Sequence, residues 1–175
     1  MSRSQRDNVK DKGGIALIGL SKAGKSTIAT VATGHPVRST QINGLPTLQP
    51  VKKLTGEFER LVNSPEMRSI TRVPAFFNIK QEFLAKANIH EPWSLIDCPG
   101  FEDSAGVEVE VSNRISTIEA MQQASNIKLV VVINANNIGA KGEPLRNLAE
   151  TVSCLSEKYE SIKEGISFVF NQFSE

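Results

Sequence analysis

Cysteine is scarce in this chain. Two in 175 residues, Cys98 and Cys154, are too few for a disulfide framework, so a reducing compartment is the expected setting. Neither His35 nor His90 has a cysteine or a second histidine at ligand spacing, which argues against a zinc site. Excess charge is missing too: 20 basic residues against 19 acidic leave a formal net charge of +1. Nothing in that balance asks for a polyanion, and no nucleic-acid partner is expected. No stretch approaches the roughly 20 apolar residues that cross a bilayer, so no membrane span is expected. Residues 1–12, MSRSQRDNVKDK, are polar and lack the apolar run of a signal peptide. Cytoplasmic or cytoskeletal placement follows by elimination. Internal repeats and low-complexity segments are absent as well.

What remains is an ordinary globular composition, 39% hydrophobic over 175 residues, enough for one domain with a core. A flexible segment over 1–12 and a single domain over 13–175 are expected. Ile15 to Gly19, IALIG, reads as a buried strand, and the Gly-rich turn after it argues for a helix over Ser26 to Thr33. Gly34, His35 and Pro36 end that helix. Residues 37–50 carry Gly44, Pro46 and Pro50 and read as loop, while Val51 to Asn63 fits strand or helix. An edge strand from near Val73 and a helix through Gln81 to Ala87 are both defensible. Phe76 and Phe77 are either core or an adhesive edge.

Farther on, Trp93 to Ile96 reads as a strand that delivers Asp97 into a Pro-Gly turn, with Trp93 in a packing role. Val107 to Ala124 has helical spacing, with Val111, Ile115, Ile118 and Met121 on the expected inner face. Ile127 to Ala135 reads as a buried strand and Ile166 to Asn171 as a further clear strand. Leu145, Leu148, Val152 and Leu155 mark a helix between them. This alternation predicts an α/β fold, a mostly parallel sheet with helices on both faces. Ligands of such sheets sit beyond the carboxyl ends of the strands, where Gly19, Asp97, Asn134 and Asn171 fall. The chain stops four residues after its last strand, so the domain is expected to be incomplete, the N-terminal part of a longer protein.

The chemistry is concentrated in Gly19-Leu20-Ser21-Lys22-Ala23-Gly24-Lys25-Ser26, a complete G-x-x-x-x-G-K-[ST] between an expected strand and an expected helix. Gly19 and Gly24 let the backbone curl until successive N–H groups, those of Ser21, Lys22 and Ala23 among them, point inward at phosphate oxygens. The following helix adds its unpaired amides and the positive end of its dipole. Lys25 is placed to reach the β- and γ-phosphates, the Ser26 hydroxyl to ligate Mg²⁺, and Thr27 to touch the α-phosphate. Asp97-Cys98-Pro99-Gly100 supplies the other half. Its aspartate can hold Mg²⁺ through water, and the Gly100 amide can meet the γ-phosphate. Cys98 has no histidine placed to act as its base and reads as a small core residue.

Together the two motifs resemble the P-loop GTPases of the translation-factor class, and within them most nearly the septin and immune-associated branch. The resemblance covers most of the chain and implies the three-layer P-loop NTPase fold. It implies a cofactor pair of Mg²⁺ and GTP or GDP, with a switch I threonine that meets the metal. Thr47 fits best by its distance from Ser26 and its loop setting, and Thr40 is the alternative. Switch II would then run from Gly100 to Gly106. On this reading Lys25, Thr47 and Gly100 carry catalysis, and Ser26, Thr47 and Asp97 carry the metal.

Two departures from the pattern limit the inference. The family reads guanine with N/T-K-x-D, and Asn171-Gln172-Phe173-Ser174 stands there with neither the lysine nor the aspartate, so ATP stays open. Phe101 occupies the place of a water-orienting glutamine and can hold no water. Glu102 and Asp103 read as a solvated acidic turn, and His35 as a plain loop histidine. A fast rate would need an arginine from a partner, with Arg38 or Arg72 available across a homodimer. Two functions follow: a magnesium-dependent, slow or partner-dependent GTP-hydrolysing switch, or a non-catalytic module that keeps a nucleotide, or only the fold, within a larger assembly. A phosphotransferase fits less well, because no arginine-rich lid is present.

Overall fold

The computed structural model describes residues 12–42, 44–61, 73–101, 106–138, 142–158 and 165–171. Seven strands and four helices alternate along it: β1 (Gly13–Gly19), α1 (Lys25–Ala32), β2 (Val37–Ile42), β3 (Leu45–Pro50), β4 (Ala75–Asn78), α2 (Gln81–Lys86), β5 (Trp93–Asp97), α3 (Val107–Met121), β6 (Asn126–Asn134), α4 (Glu143–Lys158) and β7 (Ile166–Asn171). Five strands form one sheet in the order β4-β5-β1-β6-β7. All its pairings are parallel except β4 with β5, which is antiparallel.

β1 lies at the centre and is apolar on both faces, as a covered parallel strand must be. Ala16 and Ile18 turn to one face and join Ile96, Leu129 and Val131 beneath Ala120 and Met121 of α3 and Leu148 and Val152 of α4. Leu17 turns to the other, with Phe77 and Leu95, beneath Ala29 of α1. The result is three layers, helix–sheet–helix. Leu17, Ile18, Ile96 and Leu129 are almost wholly enclosed, and each such side chain contributes about 2 kcal/mol by burial. Trp93 packs against β1 where Gly13 has no side chain: a Cβ there would lie 2.5 Å from the indole ring.

Several expectations change here. Residues 37–50 are not loop but an antiparallel hairpin, β2 with β3, forming a small second sheet. The prolines fit because a two-stranded ribbon is all edge, and Pro46 and Pro50 can lie where no ladder donor is required. Val51 to Asn63, left between strand and helix, has a 3-10 turn over Gly56–Arg60. Both readings of 73–87 hold, with β4 beginning at Ala75 and α2 following it. Phe76 and Phe77 are core.

The inner face of α3 is the largest correction. Met121 is buried and Ile118 packs against the core as expected, but Val111 and Ile115 stand about half exposed, and Val107 more so, while Asn113, Thr117 and Ala120 are buried. The docked last turn decides it: Ala120 and Met121 seat on the sheet, and at 100° per residue the stripe through Val107, Val111 and Ile115 is carried outward. The first eleven residues lie outside the described part, but Lys12 is already tied down. Its carbonyl accepts the Ser125 amide (3.2 Å), and its Nζ donates to Asn78 Oδ1 (3.3 Å). No described helix is long and apolar enough to cross a membrane.

Candidate phosphate-binding site

The loop between β1 and α1 is shaped by three backbone conformations. At Gly19, φ is 152° and a Cβ would lie 2.2 Å from the Val132 carbonyl oxygen, so β1 can run beside β6 there only as glycine. Gly24, at φ 92°, turns the chain into α1 through the left-handed region. Lys22 sits at φ 63°. A non-glycine residue there costs about 1 kcal/mol, a strain held by the loop around it.

Lys25 opens α1 and is nearly enclosed. Its Nζ donates to the carbonyls of Gly19 (3.1 Å) and Leu20 (2.8 Å), so the ammonium is held inside the curl of the loop. Burial lowers its pKa from the ordinary lysine value, partly offset by the Asp97 carboxylate. One residue on, Ser26 Oγ donates to Asp97 Oδ2 at 2.7 Å. The register Leu17↔Asp97 between β1 and β5 brings these two together across 71 residues of sequence. Asp97 is 1% exposed, and its other oxygen, Oδ1, is buried with no hydrogen-bond partner. Burial raises the Asp97 pKa, against the opposing pull of the Ser26 hydroxyl and the Lys25 charge.

Gly100 presses directly on the loop: a Cβ there would meet Ser21 Cα at 2.5 Å and Ser21 N at 2.7 Å. Phe101 then joins the loop as a strand would. Its N–H donates to Gly19 O (3.1 Å), and its carbonyl accepts the Ser21 N–H (2.9 Å), a parallel bridge between Leu20 and Phe101. The Phe101 ring is 2% exposed, in the core with Leu20 and Cys98. On the far side of the loop, Asn171 at the end of β7 donates from Nδ2 to Ala23 O at 3.3 Å.

The structure thus gathers Gly19, Ser21, Lys22, Ala23, Gly24, Lys25, Ser26, Asp97, Gly100 and Asn171 around one loop, with Thr27 in the first turn of α1. The two threonines are elsewhere in character. Thr40 and Thr47 face one another as a register pair in the hairpin, and the Thr40 hydroxyl donates to the Thr47 carbonyl (3.1 Å). His35 packs on the Phe58 ring, with centroids 4.4 Å apart, and its Nδ1 lies 3.2 Å from Thr33 Oγ1. Cys98 is enclosed, and burial, with the nearby Asp97 charge, pushes its thiol up to about 12. Arg38 is exposed on β2. Arg72, Glu102, Asp103, Gln172 and Ser174 lie outside the described residues, as does most of the stretch from Gly100 to Gly106. No cluster of metal-ligating side chains is found among the described residues.

Sequence reasoning missed two features. It saw Phe101 only as a lost glutamine, although an apolar residue directly after a tight Pro-Gly turn could have been read as an anchor. It also missed a cavity of about 590 Å³ that opens between α3 and α4, away from the loop, with Phe101, Ile118 and Thr151 among its walls.

Sheet order, register and loop geometry define the class: a three-layer α/β fold with a P-loop at the end of its central strand. No protein-family model matches the chain, and neither does any curated protein. Among solved structures it is similar to an NFeoB point mutant from S. thermophilus without nucleotide, at 18% identity and a TM-score of 0.39, covering 90% of this chain and 54% of that one. It is also similar to the signal recognition particle receptor SRb-GTP/SRX complex from Chaetomium thermophilum, at 17% identity and a TM-score of 0.45, covering 93% and 70%. A second S. thermophilus NFeoB mutant, bound to GDP, matches at 17% identity and a TM-score of 0.37, covering 90% and 55%. The chain spans about half the length of the two NFeoB chains.

Proposed function

We propose that this chain is a magnesium-dependent guanine nucleotide-binding domain that acts as a switch, with GTP hydrolysis slow or dependent on a partner. One observation carries the reading: Lys25 is held inside the loop while Ser26 donates its proton to a buried aspartate. Beside that hydroxyl, Asp97 Oδ1 stays buried without a hydrogen-bond partner. A hard oxygen-seeking cation with bound water would satisfy that oxygen, and Mg²⁺ fits that description. When bound, it would neutralise charge on the β- and γ-phosphates. Ser26 and Asp97 would hold it, joined in the triphosphate state by Thr47 or Thr40.

The chain's own groups do the rest. Lys25 places its charge at the β/γ bridge, the loop amides and the start of α1 cradle the phosphates, and Gly100 presents its N–H to the γ-phosphate. Asn171 holds the base end of the loop to β7 through Ala23. The nucleotide is guanine on the strength of the motif order, with ATP as the competitor that Gln172 and Ser174 leave open. A homodimer across the nucleotide face, with Arg38 reaching over, is the partner that would raise the rate.

A second reading is favoured by Phe101: its ring is sunk in the core and can orient no attacking water. On that reading the domain keeps GTP or ATP as a structural cofactor within a larger assembly. Denaturing the purified protein and chromatographing what it releases tests both. Guanine nucleotide supports the switch; adenine nucleotide moves the assignment to ATP. An empty protein that also fails to bind GTP or ATP in titration with Mg²⁺ overturns the nucleotide reading.

A further inference from the structure

We propose that Phe101 is a positioning residue for the Gly100 amide, and that it thereby sets how strongly the site prefers a nucleoside triphosphate to a diphosphate. The inference rests on the nucleotide-binding reading above and concerns the γ-phosphate end of the same site. Gly100 has no side chain to fix it, and it must lie against Ser21, where even a Cβ would not fit. Its position is therefore set by its neighbour. Phe101 is bonded to the loop on both sides, donating to Gly19 and accepting from Ser21, and this bridge leaves the Gly100 N–H out of the ladder.

Two backbone bonds of modest net strength do not hold a loop end alone. The ring does the holding, packed with Leu20, Cys98, Ile118 and Met121. The ring is also a wall of the cavity between α3 and α4, so trimming it enlarges an existing space beside the segment. Ring, bridge and Gly100 thus form one rigid unit against the phosphate loop. A hydrogen bond to phosphate rewards that rigidity only if the donor waits at the right place. The diphosphate does not reach Gly100 and gains nothing from it.

The test compares the parent with Phe101→Leu and Phe101→Ala, titrated calorimetrically with Mg²⁺ and either GDP or a non-hydrolysable GTP analogue. Phe101→Ala is expected to cut the analogue-over-GDP preference by about tenfold or more, with GDP affinity within about twofold of the parent. Phe101→Leu, which refills much of the space, is expected to restore most of the preference. A merely structural role would move both affinities together, or only the melting temperature, and that result overturns the proposal. If Phe101→Ala does not fold, Phe101→Val, which leaves most of the ring's space empty, carries the comparison and is expected to lose the preference in the same way. An unchanged preference in that variant, despite a lowered nucleotide-free melting temperature, overturns it equally. A parent that binds neither nucleotide removes the functional reading itself, whereas a parent that binds both while the variants keep its ratio removes only this inference.

Discussion

Lys25 combines two things that rarely go together, a full side-chain charge and near-complete enclosure. Two loop carbonyls hold its ammonium at hydrogen-bond distance, and burial already depresses its pKa. A phosphate arriving there meets a cation with few competing waters, where charge-assisted contacts are strongest. Lys25→Ala should therefore lower nucleotide affinity at least about tenfold, or about 1.4 kcal/mol, in a calorimetric titration. The two cysteines make a second contrast. Cys98 is enclosed with its thiol pushed up to about 12, while Cys154 is exposed on α4. At pH 8 a maleimide should label one thiol per folded chain and two in denaturant, counted by mass spectrometry. The sign of the associated linkage is fixed. Between the ordinary 9.0 and about 12 the folded thiol keeps a proton that the unfolded one releases, so Cys98 lowers stability as pH rises through that window.

The β2–β3 hairpin is the element that most changes the expected picture, because it turns a loop into a paired ribbon with its own register. It forms its own two-stranded sheet, and two-stranded ribbons are marginal on their own. Gly44, at φ 77°, makes its turn. Gly44→Ala has open space for its methyl but the wrong backbone region, and should loosen the hairpin by about 1 kcal/mol. Hydrogen exchange should speed up over 37–50 while the amides of β1 and β6 stay protected. The sequence hid this hairpin behind Pro46 and Pro50, which argue against central strands but say nothing against a ribbon. It misled on α3 for a related reason, since apolar spacing alone does not say which end of a helix docks. Where the signal was both apolar and continuous, as in β1, β5, β6 and β7, strand and position were legible. The loop residues were legible because their spacing is dictated by phosphate geometry. The Phe101 bridge was not, since a contact between Leu20 and Phe101 depends on tertiary placement.

At the scale of the molecule the site is assembled from the ends of β1, β5 and β7, and no described group in it is aimed at an attacking water. Turnover by the isolated chain should be slow, on the order of 10⁻⁴ s⁻¹ or below. Phosphate release measured over a hundredfold range of protein concentration should give a flat line if the domain is a structural module. A rate per chain that climbs with concentration, and that Arg38→Ala abolishes, would mark a switch completed by a second copy. The central placement of β1 has another consequence, one for how the chain acquires its shape. Gly13 finds its neighbours at Trp93 on one side and Asn126 on the other. Of the described strands β1 is made before its partners β5 and β6, and until they follow its apolar GGIALIG is uncovered. Long-range parallel pairing of this kind is slow and exposes sticky surface while it proceeds. Folding should lag until β6 has emerged, and chains cut before Asn126 should depend on chaperones or aggregate.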